Sequence, residues 1–500
     1  MKMNAKFFCT VLISCWWINC AVAGGTITGR VRCDGAGIAG VVVTDGVNVV
    51  KTNKKGDYTL SPRADADFVR ISVPSGYEVA RQEAMPLFFI PICPQTESYD
   101  FELTEVDQSN YTLLTIADTH VLNNPRLVRN SNPKDRNMYK DLLIPALNEY
   151  AASCPGKVYG LHLGDMTQDN SWDTYSMEDF REDNRALTFP LYTCIGNHDH
   201  DSPLPQEGDR TETYRAALGP TWYSFNLGRE HYVVMDNVLV KTSVNNGYDY
   251  EIDEVQLRWL AKDIAAMSNK IRSIVIALHV PTLKYDGTGR LMKNMDPFFA
   301  ALKNYNVTIL VGHNHIDRIV QITRDSRTVT EYMNPSGCGT AWFGPMLCRD
   351  GTPASFVAYQ FNRDGAASRR IVPFGVNREL THRIYNKGIT DKSGEGDPMK
   401  GGIDQKGSRK AIMVNIWGAI SCRFIESTKG KGITTDRHYD IAHRNWFVEA
   451  LETQNITTYH KTMKSPHVWR YVPADPDAVI HVTARDENGK IVAEFDTRIE

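Results

Sequence analysis

Along the first hundred residues, short apolar bursts alternate with polar positions at a period of two and are broken by glycine turns. The segments TITGRVRCDGAGIAGVVVTDG, VVKTNKKGDYTL and DFVRISVPSG are rich in β-branched residues and are punctuated by Asp-Gly and Lys-Gly-Asp. This predicts a small antiparallel sandwich from Thr26 to about Leu103. From about Asp107 to Asn362 the pattern changes. Apolar runs YTLLTIA, KVYGLHLG, FPLYTCIG, HYVVMD, SIVIALHV and VTILVGHNH alternate with the longer stretches NMYKDLLIPALNEYAAS and IDEVQLRWLAKDIAAM. In the second stretch Ile252, Val255, Leu257, Leu260 and Ile264 recur near helical spacing behind Asp253, an acidic start. Strands alternating with helices predict an α/β core, with reactive residues just beyond strand C-terminal ends. After about Arg363 comes DKSGEGDPMKGGIDQKGSRK, a loop composition, and then strand-like AIMVNIWGAI, SCRFIES, HVWRYVP and AVIHVTARDENGKIVAEFDTRI. The last run predicts a hairpin turning at Asp486-Glu487-Asn488-Gly489. A helix is expected from about Arg444 to Glu452. The expected organisation is a leader over 1–23, a β-sandwich over 24–106, an α/β domain over 107–362 and a β-rich domain over 363–500.

The start, MKMNAKFFCTVLISCWWINCAVAGG, has Lys2 and Lys6, an apolar stretch from Phe7 to Ile18, and the small residues Ala21-Val22-Ala23. This is the layout of an export signal, and it predicts a periplasmic or extracellular chain beginning near Gly24. Cys20 offers a lipid-attachment alternative, which Ile18-Asn19 ahead of it fit poorly. The later sequence holds no run of about 18 apolar residues, so no spanning helix is expected.

Composition changes this picture mainly by exclusion. With 42% hydrophobic and 23% charged residues the chain reads as globular, and a formal charge of −3 without a basic block removes nucleic acid as the default partner. Of ten cysteines, Cys9, Cys15 and Cys20 fall in the leader. The remainder are scattered without a C-x-x-C. Cys33 with Cys93 and Cys338 with Cys348 are candidate pairs, and small buried hydrophobes are the alternative. Nothing in the sequence sets the oligomeric state.

Candidate chemistry collects at the strand ends of the middle segment. TIADTH supplies Asp118 and His120, LHLGD supplies Asp165, CIGNHDH supplies Asn197, His198 and Asp199, IALH supplies His279, and VGHNH supplies His313 and His315. One histidine after a strand is most simply a structural residue. Five histidines with carboxylates and an amide at successive strand exits converge on one edge of a parallel sheet. Mixed carboxylate, imidazole and amide donors suit Mn, Fe, Zn, Co or Ni better than Ca or a thiolate-bound structural zinc.

The ordered series Asp118-Thr-His120, Gly164-Asp165, Gly196-Asn197-His198-Asp199, His279 and Gly312-His313-Asn-His315 resembles the calcineurin-like metallophosphoesterase superfamily. The N-terminal segment is similar to transthyretin-like or carboxypeptidase-regulatory-like modules in GAGIAGVVVTDG and TNKKGDYTL. The three-part layout resembles exported bacterial phosphoesterases. The resemblance implies a multidomain protein whose α/β middle is a metallophosphoesterase β-sandwich core, flanked by a small N-terminal β-sandwich and a C-terminal β-rich domain. It implies two divalent metal ions, one held by Asp118, His120 and His315 and the other by Asn197, His279 and His313, with Asp165 bridging them. Such a pair lowers the pKa of a shared water and clamps phosphoryl oxygens for in-line displacement. His198 would face the phosphate and protonate the leaving oxygen, and Asp199 would hold its tautomer. The three glycines that precede ligands would allow positive φ and close approach.

His162 reads as a core residue or a support behind the ligands. His200 and Asp201 extend the GNHD loop toward a substrate pocket. Arg126, Arg129, Lys134 and Arg136 are candidate contacts to an anionic substrate, with solvated loop charges as the alternative. Trp342 and Phe343 in GCGTAWFG could form an aromatic wall or belong to the core. GDMTQDN and GNHD depart from the blocks of protein serine/threonine phosphatases, which disfavours a phosphoprotein substrate. The expected function is hydrolysis of a small or polymeric phosphoester, mono- or diester. The rival from another class is a non-catalytic exported protein that binds a surface glycan on a relic phosphoesterase fold. A nonphosphate metallohydrolase is disfavoured by the absence of H-x-H-x-D-H and H-E-x-x-H.

Overall fold

The run YTLLTI has no polar face because both of its faces are covered. Strand Tyr111–Ile116 is buried at every position and lies in the middle of a five-stranded sheet. It runs parallel to Lys157–His162, which is in turn parallel to Leu191–Thr193. On the other side come Ser355–Phe361 and Ser368–Pro373, both antiparallel to their neighbours. A computed structural model describes residues 25–123, 135–168, 174–201, 210–240, 247–284, 289–324, 326–339, 342, 346–363, 368–385, 412–427, 432–434 and 465–499. The leader, the loop 391–410 and the helix expected near Arg444 fall outside these residues.

The strand exits come from two sheets facing each other and not from a single one. The second sheet has six strands in the order Tyr223–Leu227, Glu230–Val234, Ser273–Ala277, Asn306–Val311, Arg327–Met333 and Arg318–Arg324. Its four inner strands are parallel and its two edges antiparallel. Side chains alternate across each sheet, so Leu113 and Leu161 meet Val234, Val275 and Leu310 between the sheets. Leu114 and Ile116 point outward, against Leu147 and Tyr150 of helix Ile144–Ser153. On the far side Ile274, Ile276 and Ile309 pack on Trp259, Leu260 and Ile264 of helix Glu254–Ala266. The result is four layers, helix on sheet on sheet on helix. Each fully buried aliphatic side chain of this kind contributes about 1.5–3 kcal/mol.

Local sequence accounts for the helices. Asp253 caps helix Glu254–Ala266 by accepting from the Gln256 N–H at 2.8 Å. The buried face of that helix holds Gln256, Trp259 and Asp263 beside Leu260 and Ile264, so it is more polar than the apolar spacing indicates. The buried Gln256 and Asp263 side chains are both paired: Gln256 bonds both the N–H and the carbonyl of Asp236, and Asp263 meets His231 at 2.9 Å. In the other long stretch, Tyr139–Leu143 is a π-turn leading into Ile144–Ser153. Pro145 has no N–H to give to a preceding turn, and the wider loop accommodates it.

The N-terminal segment forms two small sheets and a short two-stranded one, and they are not wholly antiparallel. Ile27–Cys33 pairs in parallel with Phe101–Glu105 and antiparallel with Asp57–Leu60. The segment packs on the edge strand Tyr223–Leu227, where Asn226 N–H donates to the Val73 carbonyl at 2.9 Å and the Arg70 guanidinium donates to the Trp222 carbonyl. An edge that would otherwise be open to pairing is thereby covered. In the C-terminal part, Ile412–Ile416 and Ser421–Glu426 lie in separate small sheets over a shared core that includes Val414, Phe424, Trp469 and Val482. The final hairpin pairs Ile480–Arg485 with Ile491–Thr497, and Gly489 takes φ +78° in its turn. Cys33, Cys93, Cys338 and Cys348 are free thiols, as are Cys154, Cys194 and Cys422, so neither candidate disulfide forms. Among the described residues no helix is long and apolar enough to cross a membrane.

Candidate metal centre

At one end of the sandwich, chains leaving both sheets turn sharply and point polar side chains at one another. Asp118, His120, Asp165, His313 and His315 all have positive φ, between 42° and 69°. Each such residue costs on the order of 1 kcal/mol and persists only where its surroundings over-determine it. The backbone supplies that restraint. Asp118 N–H donates to the Gly164 carbonyl at 3.0 Å and His120 N–H to the Asp165 carbonyl at 2.9 Å, continuing the pairing of the two strands past their ends. His313 N–H is shared between both Asp118 oxygens at 2.9 and 3.0 Å. Of the glycines, Gly164 has positive φ, +94°, and Gly196 is needed for close approach, since a Cβ there would lie 2.3 Å from Asp165 Oδ1.

The donor atoms fall into two groups. In the first, His315 Nε2 lies 3.0 Å from His120 Nε2 and 3.4 Å from Asp118 Oδ1. In the second, Asn197 Oδ1 is 3.0 Å from His279 Nε2 and 2.9 Å from His313 Nδ1. Asp165 stands between them. Its Oδ1 accepts the His198 N–H at 2.8 Å, while its Oδ2 faces His279 Nε2 at 3.2 Å and His120 Nε2 at 3.5 Å.

This donor set fits cations. His279 Nδ1 is 2.8 Å from the Leu163 carbonyl and so carries the proton, which leaves Nε2 of the neutral ring a lone pair aimed at other acceptors. His315 Nδ1 faces the Gly339 carbonyl at 3.3 Å with the same consequence. Acceptors converging at about 3 Å repel one another unless a positive charge lies among them, and atoms bound to one ion at about 2.1 Å are spaced in this way. Electrostatics show the same demand. Burial keeps His120 and His313 neutral, down to about 3 and about 4. Burial also opposes charge on His279, but Asp165 and Asp118 outweigh it and raise the ring to about 9.

His198 borders His120 of the first group and the carboxylate of Asp165. Its ring is partly exposed, lies edge-on to His120 at 4.8 Å between centroids, and has no hydrogen bond among the described residues. Asp199 departs from its expected part. Its carboxylate accepts from the backbone N–H groups of Met166 at 2.9 Å, Thr167 at 3.1 Å and Gly196 at 2.9 Å and from the Thr167 hydroxyl at 3.5 Å, so it pins two loops together. Burial, with the charge of Asp165, raises its pKa to about 6.

The expected pocket residues turn inward. His200 is buried, with Nδ1 on the Gly196 carbonyl at 2.7 Å and Nε2 on Asp236 at 3.2 Å. Asp201 accepts the Thr213 N–H at 2.9 Å in the first turn of helix Glu212–Leu218. Trp342 is 1% exposed and donates to the Thr119 carbonyl at 2.6 Å, which fixes the peptide between two candidate ligands from below. It belongs to the core because its large apolar ring has Tyr139 and Phe374 to pack on. Arg136 pairs with Asp183 and Asp179. Arg126, Arg129, Lys134 and Phe343 lie outside the described residues. His162 is buried, bonds Thr119 and Gly164, and is held near 3 by burial, a support behind the cluster. Tyr250, which no motif marks, brings its hydroxyl within 3.5 Å of His313 Nε2.

Comparison with known families decides the assignment. Residues 111–317, which include every candidate ligand, match the family Calcineurin-like phosphoesterase, and residues 25–106 match N terminal of Calcineurin-like phosphoesterase. The chain is a calcineurin-like phosphoesterase. Among solved structures, a dimetal phosphatase from Danio rerio is 16% identical over 53% of this chain and 97% of its own, with TM-score 0.36. A putative 5'-nucleotidase from Staphylococcus aureus is 14% identical over 53% of this chain and 54% of its own, TM-score 0.33. A 5'-nucleotidase from Candida albicans is 13% identical over 55% and 53%, TM-score 0.32. The chain thus spans about half the length of these nucleotidases, and nothing about its substrate follows from them. No curated protein matches. The family assignment and the donor groups support a metal-dependent phosphoester hydrolase.

Proposed function

We propose that this calcineurin-like phosphoesterase holds two divalent cations side by side and uses them to hydrolyse a small or polymeric phosphoester. The observation that carries the reading is Asp165, with one oxygen tied to the His198 backbone and the other facing a donor from each group. Asp118, His120 and His315 would hold one ion, Asn197, His279 and His313 the other, and Asp165 both. Mn, Fe, Zn, Co and Ni suit these donors. When bound, such a pair supplies Lewis acidity toward phosphoryl oxygens and a nucleophile at neutral pH.

The chain's own residues do the rest. The Leu163 and Gly339 carbonyls fix the rings of His279 and His315, so that Nε2 faces inward without a search through rotamers. His198, fastened through its backbone and open at its ring, donates a proton to the leaving-group oxygen. Residues 1–23 direct export on this reading, and a soluble small-molecule or polymer substrate outside the cytoplasm is the expected partner.

The test is metal analysis of the purified chain together with cleavage of p-nitrophenyl phosphate and bis-p-nitrophenyl phosphate in the presence of Mn²⁺. Two ions per chain and turnover abolished by chelator are expected. Two ions without turnover on a broad phosphoester panel would favour a non-catalytic binding protein.

A further inference from the structure

The loop carrying His313 and His315 runs on into Asp317, which is 2% exposed and joins three parts of the chain. Its Oδ1 accepts from Arg369 of the edge strand Ser368–Pro373 at 2.5 Å, and its Oδ2 accepts from the Gly418 N–H, in the C-terminal part, at 2.6 Å. Its own N–H donates to Asp350 Oδ2 at 2.6 Å. That same oxygen meets His467 Nε2 at 2.9 Å, and His467 Nδ1 lies 2.7 Å from Asn415 Oδ1. Asn415 returns to the loop by donating to the Gly351 carbonyl at 3.4 Å. The loop beside Asp350 also touches a ligand residue directly, because Arg349 N–H donates to the His315 carbonyl at 3.3 Å. A second path arrives from the terminal hairpin, where Tyr332 donates to Glu487 and Arg369 lies over the Tyr332 ring at 5.3 Å.

Asp350, His467 and Asn415 are each no more than 1% exposed. A buried polar network of this size is costly to assemble and specifies one geometry when complete. The geometry at stake is that of His315, whose φ of +54° needs outside restraint.

We propose that the C-terminal β region is part of the metal centre, with Asp317, Asp350 and His467 acting as positioning residues that hold His315 toward its cation. The proposal rests on the two-cation reading above. It assigns the dependence to the ion held by Asp118, His120 and His315, since the loop beside Asp350 reaches the His315 carbonyl directly, whereas His279 of the other group is fixed by the Leu163 carbonyl inside the sandwich.

The experiment loads the full chain with Mn²⁺, titrates it with a chelator, and measures metal per chain and the melting temperature in excess chelator. In His467→Ala one ion is expected to leave at chelator concentrations at least about tenfold lower than in the parent, with the other unchanged. His467→Gln, whose amide can still donate to Asp350, restores part of the difference. Release of both ions as in the parent, or a change confined to the metal-free melting temperature, marks a purely structural role and overturns the proposal. Earlier release of both ions together also overturns it. If His467→Ala does not melt cooperatively, Asp317→Asn takes its place with the same expected and overturning results. A parent chain that binds no Mn²⁺ fails at the two-cation reading, and that failure is visible before any variant is compared.

Discussion

His279 and His315 present the same ring atom to the cluster from different footings. His279 is wholly buried, its Nδ1 fixed by the Leu163 carbonyl, and the chain beyond it is held by Asn237, which bonds both the N–H and the carbonyl of Val280, and by Glu331, which accepts from Thr282. All of these supports lie in the core of the two-sheet domain. The His315 side chain is 17% exposed, and its supports come from the loops around Gly339 and Arg349 and from the C-terminal part. Two halves of one centre can therefore differ in robustness although their donor sets are alike, because rigidity is inherited from whatever lies behind each ligand.

The largest effect is expected where the two halves meet. Asp165→Ala removes the carboxylate that faces both groups, and turnover should fall by more than about a thousandfold with loss of both ions. Retention of two tightly held ions in that variant, read by metal analysis, would mean that the halves are independent. His198→Ala tests chemistry apart from binding. It should keep both ions and lose turnover by about a hundredfold, and unchanged turnover would remove His198 from the mechanism. In the parent chain a chelator titration should be biphasic, with the more exposed group of Asp118, His120 and His315 emptying first. His315→Ala should then show only the later phase and His279→Ala only the earlier one. A single phase in the parent would erase the distinction between the halves.

How much of this was legible depended on distance along the chain. Each candidate ligand sits in a short motif directly after an apolar run, so strand, turn and donor are read together, and six such runs do form strands of the two core sheets. The supports are dispersed. Asp317 and Gly418 are 101 residues apart, and neither lies in a pattern that links them. Asp263 and Gln256 look like the solvent side of an amphipathic helix until His231 and the backbone of Asp236 are seen opposite them. His200, Asp201 and Trp342 extend motifs that carry chemistry, which made a pocket the natural expectation. The protein spends them on holding the loops in shape. Motif proximity picks out donors that the fold brings together and does not separate a residue facing a pocket from one facing the core.

Gly164→Ala probes the close packing on the His279 side. At φ +94° a Cβ would lie 2.5 Å from His279 Nδ1 and 2.8 Å from the Gly196 Cα. Backbone strain and overpacking together should cost about 4 kcal/mol in denaturant unfolding, with the ion of Asn197, His279 and His313 lost preferentially. Preferential loss of the other ion would reverse the assignment of supports.

The smallest expected effect concerns Glu331, the buried carboxyl behind His279. Burial raises its pKa from the ordinary 4.5 to about 7, against the hydrogen bonds from Thr282. Between these values the unfolded chain has already released a proton that the folded chain retains. Stability should therefore fall as pH rises from about 4.5 to about 7 and stay lower above that range. The full difference is about 3 kcal/mol. Glu331→Gln keeps an acceptor for Thr282 and cannot ionise, so it should flatten this part of the profile when unfolding is followed at pH 5 and pH 8. Asp317→Asn, on the C-terminal side, should leave the slope in place. An unchanged slope in Glu331→Gln would mean that the carboxyl is ionised in the fold and that the support behind His279 is a charged one.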